Sequence, residues 1–264
     1  LSATASSGNT LVWYDENQIQ ITAGAPTPST ATVTSLTYYV AQKTATGCEG
    51  PKSTITVTVS DLPSKPSATT AIEYCKGEVA SSLSATASGS HTLVWYDTDG
   101  TTVLSSAPTP STAAVGSTDY YVAQKNSTTG CEGPKETITV TVNALPVAPT
   151  ATTTVDYCEG ATASALVATP SANHTLVWYD TDGTTVLSSA PTPSTSSAVT
   201  TQYYVAQKKT ATGCEGPKTT ITVTVVATPS APTVSDVSYC KGEVASSLSA
   251  TASSGNTLVW YDEN

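Results

Sequence analysis

Alternating apolar and polar positions predict short β-strands along the whole chain. The hexapeptide Thr-Leu-Val-Trp-Tyr-Asp occurs at residues 10–15, 92–97, 175–180 and 257–262. Alternation puts Leu93 and Trp95 on one face of such a strand and Val94 and Tyr96 on the other. Residues 136–142 alternate in the same way, which is typical of a half-buried antiparallel strand. About seven such strands per repeat, with turn signals between them and no helical period, predict all-β, antiparallel β-sandwich domains.

The tryptophans reveal a tandem repeat. They are spaced 82, 83 and 82 residues apart, a period that fits a small domain rather than a solenoid repeat, and they occupy Trp13, Trp95, Trp178 and Trp260. The predicted domains are residues 1–60, 67–143, 150–226 and 232–264, of which the first and the last contain only part of a repeat. Residues 1–17 are identical to residues 248–264, so we expect a window on a longer array.

Proline-containing linkers separate the predicted domains. Residues 61–67, 143–149 and 227–232 each hold two prolines and no glycine. Linkers of this composition are short and semi-rigid, which predicts an elongated rod whose partners are neighbouring repeats of the same chain.

Parity along the strands predicts the core of each domain. In the second domain, Tyr120 and Val122 of the segment Asp-Tyr-Tyr-Val-Ala-Gln-Lys share the inward face with the tryptophan of the hexapeptide. The equivalent tryptophans are expected to be buried in the other copies, and these are Trp13, Trp178 and Trp260.

Composition limits the partners. The chain has 264 residues, no arginine, 10 lysines and 20 acidic residues, for a net charge of −10. Such a chain should repel nucleic acid and anionic membrane surfaces. It has no apolar run approaching the length of a membrane span, so membrane insertion is not expected.

Two recurrent motifs carry a family resemblance. Tyr-Cys-x-Gly occurs at residues 74–77, 157–160 and 239–242, and Gly-Cys-Glu-Gly-Pro-Lys precedes each last strand. With the tryptophan strand, this pattern resembles the immunoglobulin-like repeats of giant Bacteroidota surface adhesins, of which the gliding-motility adhesins are the best-known members. The resemblance implies immunoglobulin-like sandwiches, export across the outer membrane to the cell surface, and a role as an adhesin shaft. It implies no catalytic or ligand-binding residue.

Six cysteines, two per period, favour disulfides over a metal site because no C-x-x-C spacing or histidine cluster accompanies them. They are Cys48, Cys75, Cys131, Cys158, Cys214 and Cys240. The usual pairing would lie within a domain, as Cys75–Cys131 and Cys158–Cys214. If strands alternate in direction, however, these cysteines lie at opposite ends of strands about 20 Å long, whereas disulfide Cα atoms lie about 4.4–6.8 Å apart.

Pairing between domains is therefore favoured, with Cys75 facing Cys214. Cys131 then faces a cysteine before this window, and Cys158 faces one after it. The pairing Cys48–Cys75 is the least favoured.

Other candidate sites have simpler interpretations. Asp97-x-Asp99-Gly100 could begin a calcium loop, but no glutamate follows at the required position, so a two-residue Asp-Gly hairpin turn is favoured. His91 occupies a turn position where the first copy has an asparagine. The glutamines Gln42, Gln124 and Gln207 are each followed by lysine, and an isopeptide bond from that lysine is the weaker alternative to disulfides. No nucleophile is placed beside a base, so neither an enzyme nor a metal or cofactor site is expected.

Two functions remain. A stalk segment of a very long adhesin would project a distal tip and transmit force, and only that tip, outside the window, would contact an external surface or glycan. Alternatively, each sandwich is itself a glycan- or surface-binding module. Near-identity between copies favours the stalk, because a binding face usually clusters exposed aromatic side chains.

Overall fold

The structure is a computed structural model and describes residues 1–262. This part of the chain consists of strands and loops. Within these residues there is no helix, and so no helix long and apolar enough to cross a bilayer. The strands are β1 Asn9–Tyr14, β2 Gln20–Ile21, β3 Thr34–Thr44, β4 Ser53–Val59, β5 Ser67–Ala68, β6 Ala71–Cys75, β7 Ala85–Thr86, β8 His91–Tyr96, β9 Val103–Leu104, β10 Gly116–Asn126, β11 Glu136–Asn143, β12 Thr150–Ala151, β13 Thr154–Cys158, β14 Ala168–Thr169, β15 His174–Tyr179, β16 Val186–Leu187, β17 Thr200–Lys209, β18 Thr219–Val226, β19 Thr233–Val234 and β20 Ala250–Thr251.

Each tryptophan strand up to residue 179 lies in a sheet beside the strand that carries the Tyr-Tyr pair. The strand orders are β2-β1-β3-β4, β6-β11-β10-β8-β9 and β13-β18-β17-β15-β16. The register places Trp95 opposite Val122 and Trp178 opposite Val205, in antiparallel ladders. Since these residues face inward in adjacent strands, the two elements form one packed surface in each domain.

In the third domain, the pairing of the first strand with the last strand departs from the antiparallel pattern. β13 runs parallel to β18, with Thr154 opposite Thr222 and Cys158 opposite Val226. Because the two strands run parallel, β13 and β18 finish at the same end of the sheet. Cys158, the last residue of β13, therefore lies far from Cys214, which precedes the start of β18.

In the second and third domains, a pair of two-residue strands completes the sandwich. β5 pairs with β7, and β12 pairs with β14. In the second domain the buried cluster comprises Leu83, Trp95, Tyr120, Val122, Ile138 and Val140. The third domain repeats it with Leu166, Trp178, Val205, Ile221 and Val223. The inward positions that alternation predicts are thus the ones that meet.

β4 lies at one edge of the first sheet. Among residues 1–262, β4 has a strand partner only in β3. Its inward residues Ile55, Val57 and Val59 are half-exposed, whereas Ile138 and Ile221 are both 0% exposed. Trp13, in contrast, is buried at 3% exposure, because it lies on the side of the sheet remote from this edge.

The last tryptophan differs from its predicted place. Trp260 is 56% exposed. Residues 257–262 form no strand, and among the described residues no sheet is built around them. A tryptophan strand is buried only when it pairs with a Tyr-Tyr strand and packs against the inward face of the last strand. The final two residues of the predicted 232–264 domain lie outside the described residues.

The loop after the tryptophan strand is longer than a two-residue hairpin. β8 ends at Tyr96 and β9 begins at Val103, so six residues connect them. The Asp97 backbone N–H donates a hydrogen bond to the Thr102 carbonyl at 2.9 Å and closes this loop. Gly100 adopts a φ of +67° and lies against the Tyr121 ring, so the glycine is required, although the predicted turn type is wrong.

Contacts divide the chain into two compact units, Leu1–Val142 and Asn143–Asn264. The first unit contains the sheets of the first and second domains. The second contains the third sheet and the pair β19-β20.

Candidate functional site

A tyrosine, a glutamate and a lysine form the same cluster in each of the three sheets. In the second domain, the Tyr96 hydroxyl donates a hydrogen bond to the Glu132 carboxylate. The Lys135 ammonium lies over the Tyr96 ring, 3.6 Å from its centroid, and donates to the Gly100 carbonyl at 2.5 Å. The other two copies of the cluster comprise Tyr14, Glu49 and Lys52, and Tyr179, Glu215 and Lys218.

This cluster joins two elements that are distant in sequence. The tyrosine belongs to the tryptophan strand, whereas the glutamate and the lysine belong to the motif Gly-Cys-Glu-Gly-Pro-Lys. A cation over an aromatic ring contributes about 0.5–2 kcal/mol depending on its desolvation. The cluster therefore ties the loop before each last strand to the outward face of the tryptophan strand.

The tyrosines in this cluster hold their protons strongly. Burial, together with the hydrogen bond to Glu132 and its negative charge, raises the pKa of Tyr96 to about 12. The same causes raise the pKa of Tyr179 to about 12. Tyr14 has a raised pKa as well, chiefly because of its bond to Glu49. A proton donor this weak suits a structural bond and not an acid catalyst at neutral pH.

A buried glutamine anchors the linker that precedes each complete domain. Gln124 and Gln207 are both 0% exposed. The Gln124 side-chain amide donates to the Ser64 carbonyl at 2.8 Å, and its oxygen accepts from the Ser88 backbone N–H at 2.8 Å. In the third domain, Gln207 makes the same donation to the Val147 carbonyl at 2.8 Å.

A glycine beside this glutamine lets the linker approach. A Cβ at Gly133 would lie 2.1 Å from the Pro63 carbonyl oxygen, and one at Gly216 would lie 2.3 Å from that of Pro146. Neither distance is sterically possible, so only glycine accommodates the linker there. Two prolines of each linker are buried by this contact, namely Pro63 and Pro66, and Pro146 and Pro149.

The first domain has the same residues in a more open arrangement. Gln42 is half-buried, and its side-chain oxygen accepts from the Ser6 backbone N–H at 2.7 Å and from the Asn9 side chain. A Cβ at Gly50 would meet nothing closer than the Gln42 carbonyl at 3.7 Å. A groove of about 430 Å³ is lined by residues that include Gln42, Gly50 and Pro51.

The cysteines are in two states. Cys75 and Cys214 are disulfide-bonded. Cys48, Cys131, Cys158 and Cys240 are free thiols. Within the third domain, Cys158 lies opposite the end of β18 at Val226, whereas Cys214 precedes the start of β18 at Thr219. Seven residues of extended strand separate these ends by about 23 Å, so the alternative pairing Cys158–Cys214 is excluded in this structure.

The remaining candidate sites are turns. The Asp99 carboxylate accepts bonds from the backbone of Thr101 and from both the backbone and the hydroxyl of Thr102. These bonds lower the pKa of Asp99, and Asp182 repeats the pattern. Residues 1–262 contain no group of three or more acidic, histidine or cysteine side chains that could hold a metal ion. His91 and His174 contact backbone carbonyls of their own turns.

Sequence reasoning missed the glutamine anchor and the tyrosine cluster. The available signal was internal repetition, because the residues at the positions of Gln124 and Glu132 are identical in all three copies. The alternation of apolar and polar residues does not point to them, because both residues are polar. Strand parity assigned Tyr96 to the face opposite the core, and the structure buries that face too, at 6% exposure.

Solved structures similar to this chain are arrays of β-sandwich domains. Fibronectin(III)-like modules of Clostridium thermocellum CbhA are 18% identical, cover 61% of this chain and 92% of their own, and superpose with a TM-score of 0.33. Domains EC22–24 of mouse cadherin-23 are 12% identical over 84% of this chain and 87% of theirs, with a TM-score of 0.25. Drosophila N-cadherin EC1–4 is 9% identical over 88% and 70%, with a TM-score of 0.21.

No curated protein matches the chain. A family model does, and it is described as an Ig-like domain, CHU_C associated, which matches residues 63–144 and 146–226. Tandem Ig-like repeats are typical of extracellular structural or adhesion modules, and no enzyme family is indicated. Because the two tandem matches cover more than half of the residues, the chain belongs to the family of CHU_C-associated Ig-like domains.

Proposed function

We propose that this chain is a stalk segment of a very long cell-surface adhesin, exported across the outer membrane, that holds a distal tip away from the cell and transmits force during adhesion or gliding. One observation carries the proposal: the linkers before the second and third domains are each fastened to the domain that follows. Gln124 holds Ser64, and Gln207 holds Val147, with the same donor geometry.

Fastened linkers suit a load-bearing element. A free proline linker still bends at its ends, whereas a linker with two buried prolines and a bonded carbonyl has lost that freedom at its C-terminal side. The contacts recur with the same residue types, as expected of a spacer in which no copy has a separate task. A module that binds through its own surface usually presents a cluster of exposed apolar or aromatic side chains.

The second part of the proposal is a bridge between successive domains, from Cys75 to Cys214. Both residues are disulfide-bonded, and the ends of β18 separate the cysteines within a domain. A bridge that closes a loop of about 140 residues stabilises by about 4–5 kcal/mol in the chain-entropy model. It also limits how far adjacent domains part under tension.

Small-angle scattering combined with disulfide mapping tests this function. The oxidised chain should give the distance distribution of a rod, which has a tail that reaches the full length of the array, and a linked peptide pair containing Cys75 and Cys214. The double variant C75S/C214S should shorten that tail because the domains can then bend at their junction, and C158S is the matched control because Cys158 is a free thiol. A compact particle, or a Cys75–Cys131 pair, would contradict the stapled rod.

The binding alternative has its own assay. A glycan array probed with the oxidised chain should give no signal above that of an unrelated β-sandwich. Selective binding would favour the binding module over the stalk.

A further inference from the structure

The first and last strands of the third domain place the entry and the exit of the chain at opposite ends of one parallel pair. β13 lies beside β18, with Cys158 opposite Val226. At the entry end, the Thr219 hydroxyl donates a hydrogen bond to the Pro149 carbonyl of the linker at 2.8 Å. Tension between the linker and Val226 therefore acts along both strands, so the hydrogen bonds between them share the load instead of opening one after another.

The two cysteines of this domain lie at those same two ends. Cys158 is the last residue of β13, and the N–H of the next residue, Glu159, donates to the Val226 carbonyl at 2.8 Å. Cys214 precedes the start of β18 at Thr219. Each end of the parallel pair thus offers two points of covalent attachment, which are the chain itself and a cysteine.

The second domain has the same arrangement of its first and last strands. β6 lies next to β11, and the Thr139 N–H donates to the Thr70 carbonyl at 2.8 Å, as the equivalent residues do in the third domain. Cys75 is the last residue of β6. A bridge from Cys75 to Cys214 therefore joins the end of the first strand of one domain to the beginning of the last strand of the next.

This bridge shortens the covalent path through the two domains. Load that enters along β6 reaches Cys75, crosses to Cys214 and leaves along β18. Residues in a strand already rise about 3.3 Å each, close to the limit of about 3.3–3.6 Å per residue for a fully stretched chain. The two strands therefore gain almost no length under tension, because they are extended before any load is applied.

We propose that β6, the Cys75–Cys214 bridge and β18 form one covalent load line, and that the residues between the two cysteines stay folded and carry no load while the line is under tension. The load line rests on the bridge proposed above as part of the stalk. The line closes when the two thiols lose two protons and two electrons to a disulfide oxidant such as oxidised glutathione, which is reduced to two thiols.

The segment between the two cysteines contains the parts that tension would otherwise unfold. Its about 140 residues would span about 450–500 Å if they were fully stretched. They include the buried Trp95 and Trp178, and the linker 143–149 with its anchor on Gln207. Without the bridge, that linker is the covalent connection between the second and third domains and takes the load directly. The bridge thus protects two cores and the linker between them.

Optical tweezers that hold the oxidised chain by its two ends test the load line. Peptide mapping without reductant establishes the bridge in the same sample. The oxidised chain should extend to a contour length about 450–500 Å shorter than that of C75S/C214S, and it should lack the unfolding steps of the second and third domains. C158S is the matched control, because Cys158 is a free thiol, and it should behave like the parent chain.

Reductant added at constant force shows whether the enclosed residues stayed folded. The force is set so that the second and third domains of C75S/C214S unfold in separate steps, each after a measurable delay. Reduction of the parent chain should release the same two steps with the same delays. A single immediate extension of about 450–500 Å would show that the enclosed domains had already unfolded under load, and would overturn the load line while the bridge stands.

The length measurement also reports on the bridge itself. Equal contour lengths of the oxidised parent chain and C75S/C214S, with no linked peptide pair containing Cys75 and Cys214, would refute the stapled stalk and the load line together.

Discussion

A single added methyl group at Gly133 should detach the linker from the second domain. The Cβ of G133A would lie 2.1 Å from the Pro63 carbonyl oxygen, 2.9 Å from its carbon and 3.1 Å from the Ser64 oxygen. All three are backbone atoms, so no side chain can rotate to make room. Overpacking of this kind costs about 1–3 kcal/mol.

Relief of the clash has its own cost. If the linker moves away, Gln124 loses its bond to the Ser64 carbonyl, which contributes about 0.5–1.5 kcal/mol, and the buried side chains of Pro63 and Pro66 become exposed to water. We therefore expect G133A to destabilise the second domain by about 2 kcal/mol, because the domain will adopt the cheaper of the two outcomes.

Hydrogen exchange measured by mass spectrometry gives the readout, since it follows each domain separately in a multidomain chain. Backbone amides of β10 and β11 should exchange about 30-fold faster, the equivalent of about 2 kcal/mol, and the linker peptide should lose its protection. β1 and β3 should be unchanged.

The chain provides a matched control. G50A introduces the same methyl group at the same repeat position, where the nearest atom is 3.7 Å away. It should be neutral or stabilising by up to about 1 kcal/mol. Equal effects of G133A and G50A, or a linker that keeps its protection in G133A, would refute the reasoning.

Three further predictions concern the core, the tyrosine cluster and the hairpin. W95A should lower the free energy of unfolding of the second domain by about 3–5 kcal/mol, measured by the same exchange experiment, whereas W260A should leave the stability unchanged because that ring is exposed. Tyr96 has a pKa raised to about 12, so its contribution to the stability of the second domain is fully present below pH 10 and is lost as the pH rises toward 12. The denaturation midpoint of that domain should fall over this pH range, and the fall should be smaller in Y96F. Asp99 has a lowered pKa, so its support of the loop is present above about pH 4 and is lost on acidification; amides of Thr101 and Thr102 should lose protection at low pH, and D99N should remove that dependence.

The sequence alone determined the strands, their alternation and the tandem repeat. Period-two alternation is a local property, and burying one face of each strand leaves few choices for which residues point inward. Trp95, Tyr120 and Val122 could therefore be placed in the core from parity, and the structure packs them together. The length of the repeat follows from self-similarity, which needs no geometry.

Only the tertiary structure decided what the polar residues do. Gln124 is buried because a linker sixty residues away closes over it, and Tyr96 is buried on its outward face because a loop supplies Glu132 and Lys135. Trp260 carries the same local sequence as Trp95 and is exposed, since no Tyr-Tyr strand pairs with it among the described residues. Local pattern fixes which face a side chain occupies, but burial depends on partners brought by chain segments far away, and no short window of sequence contains them.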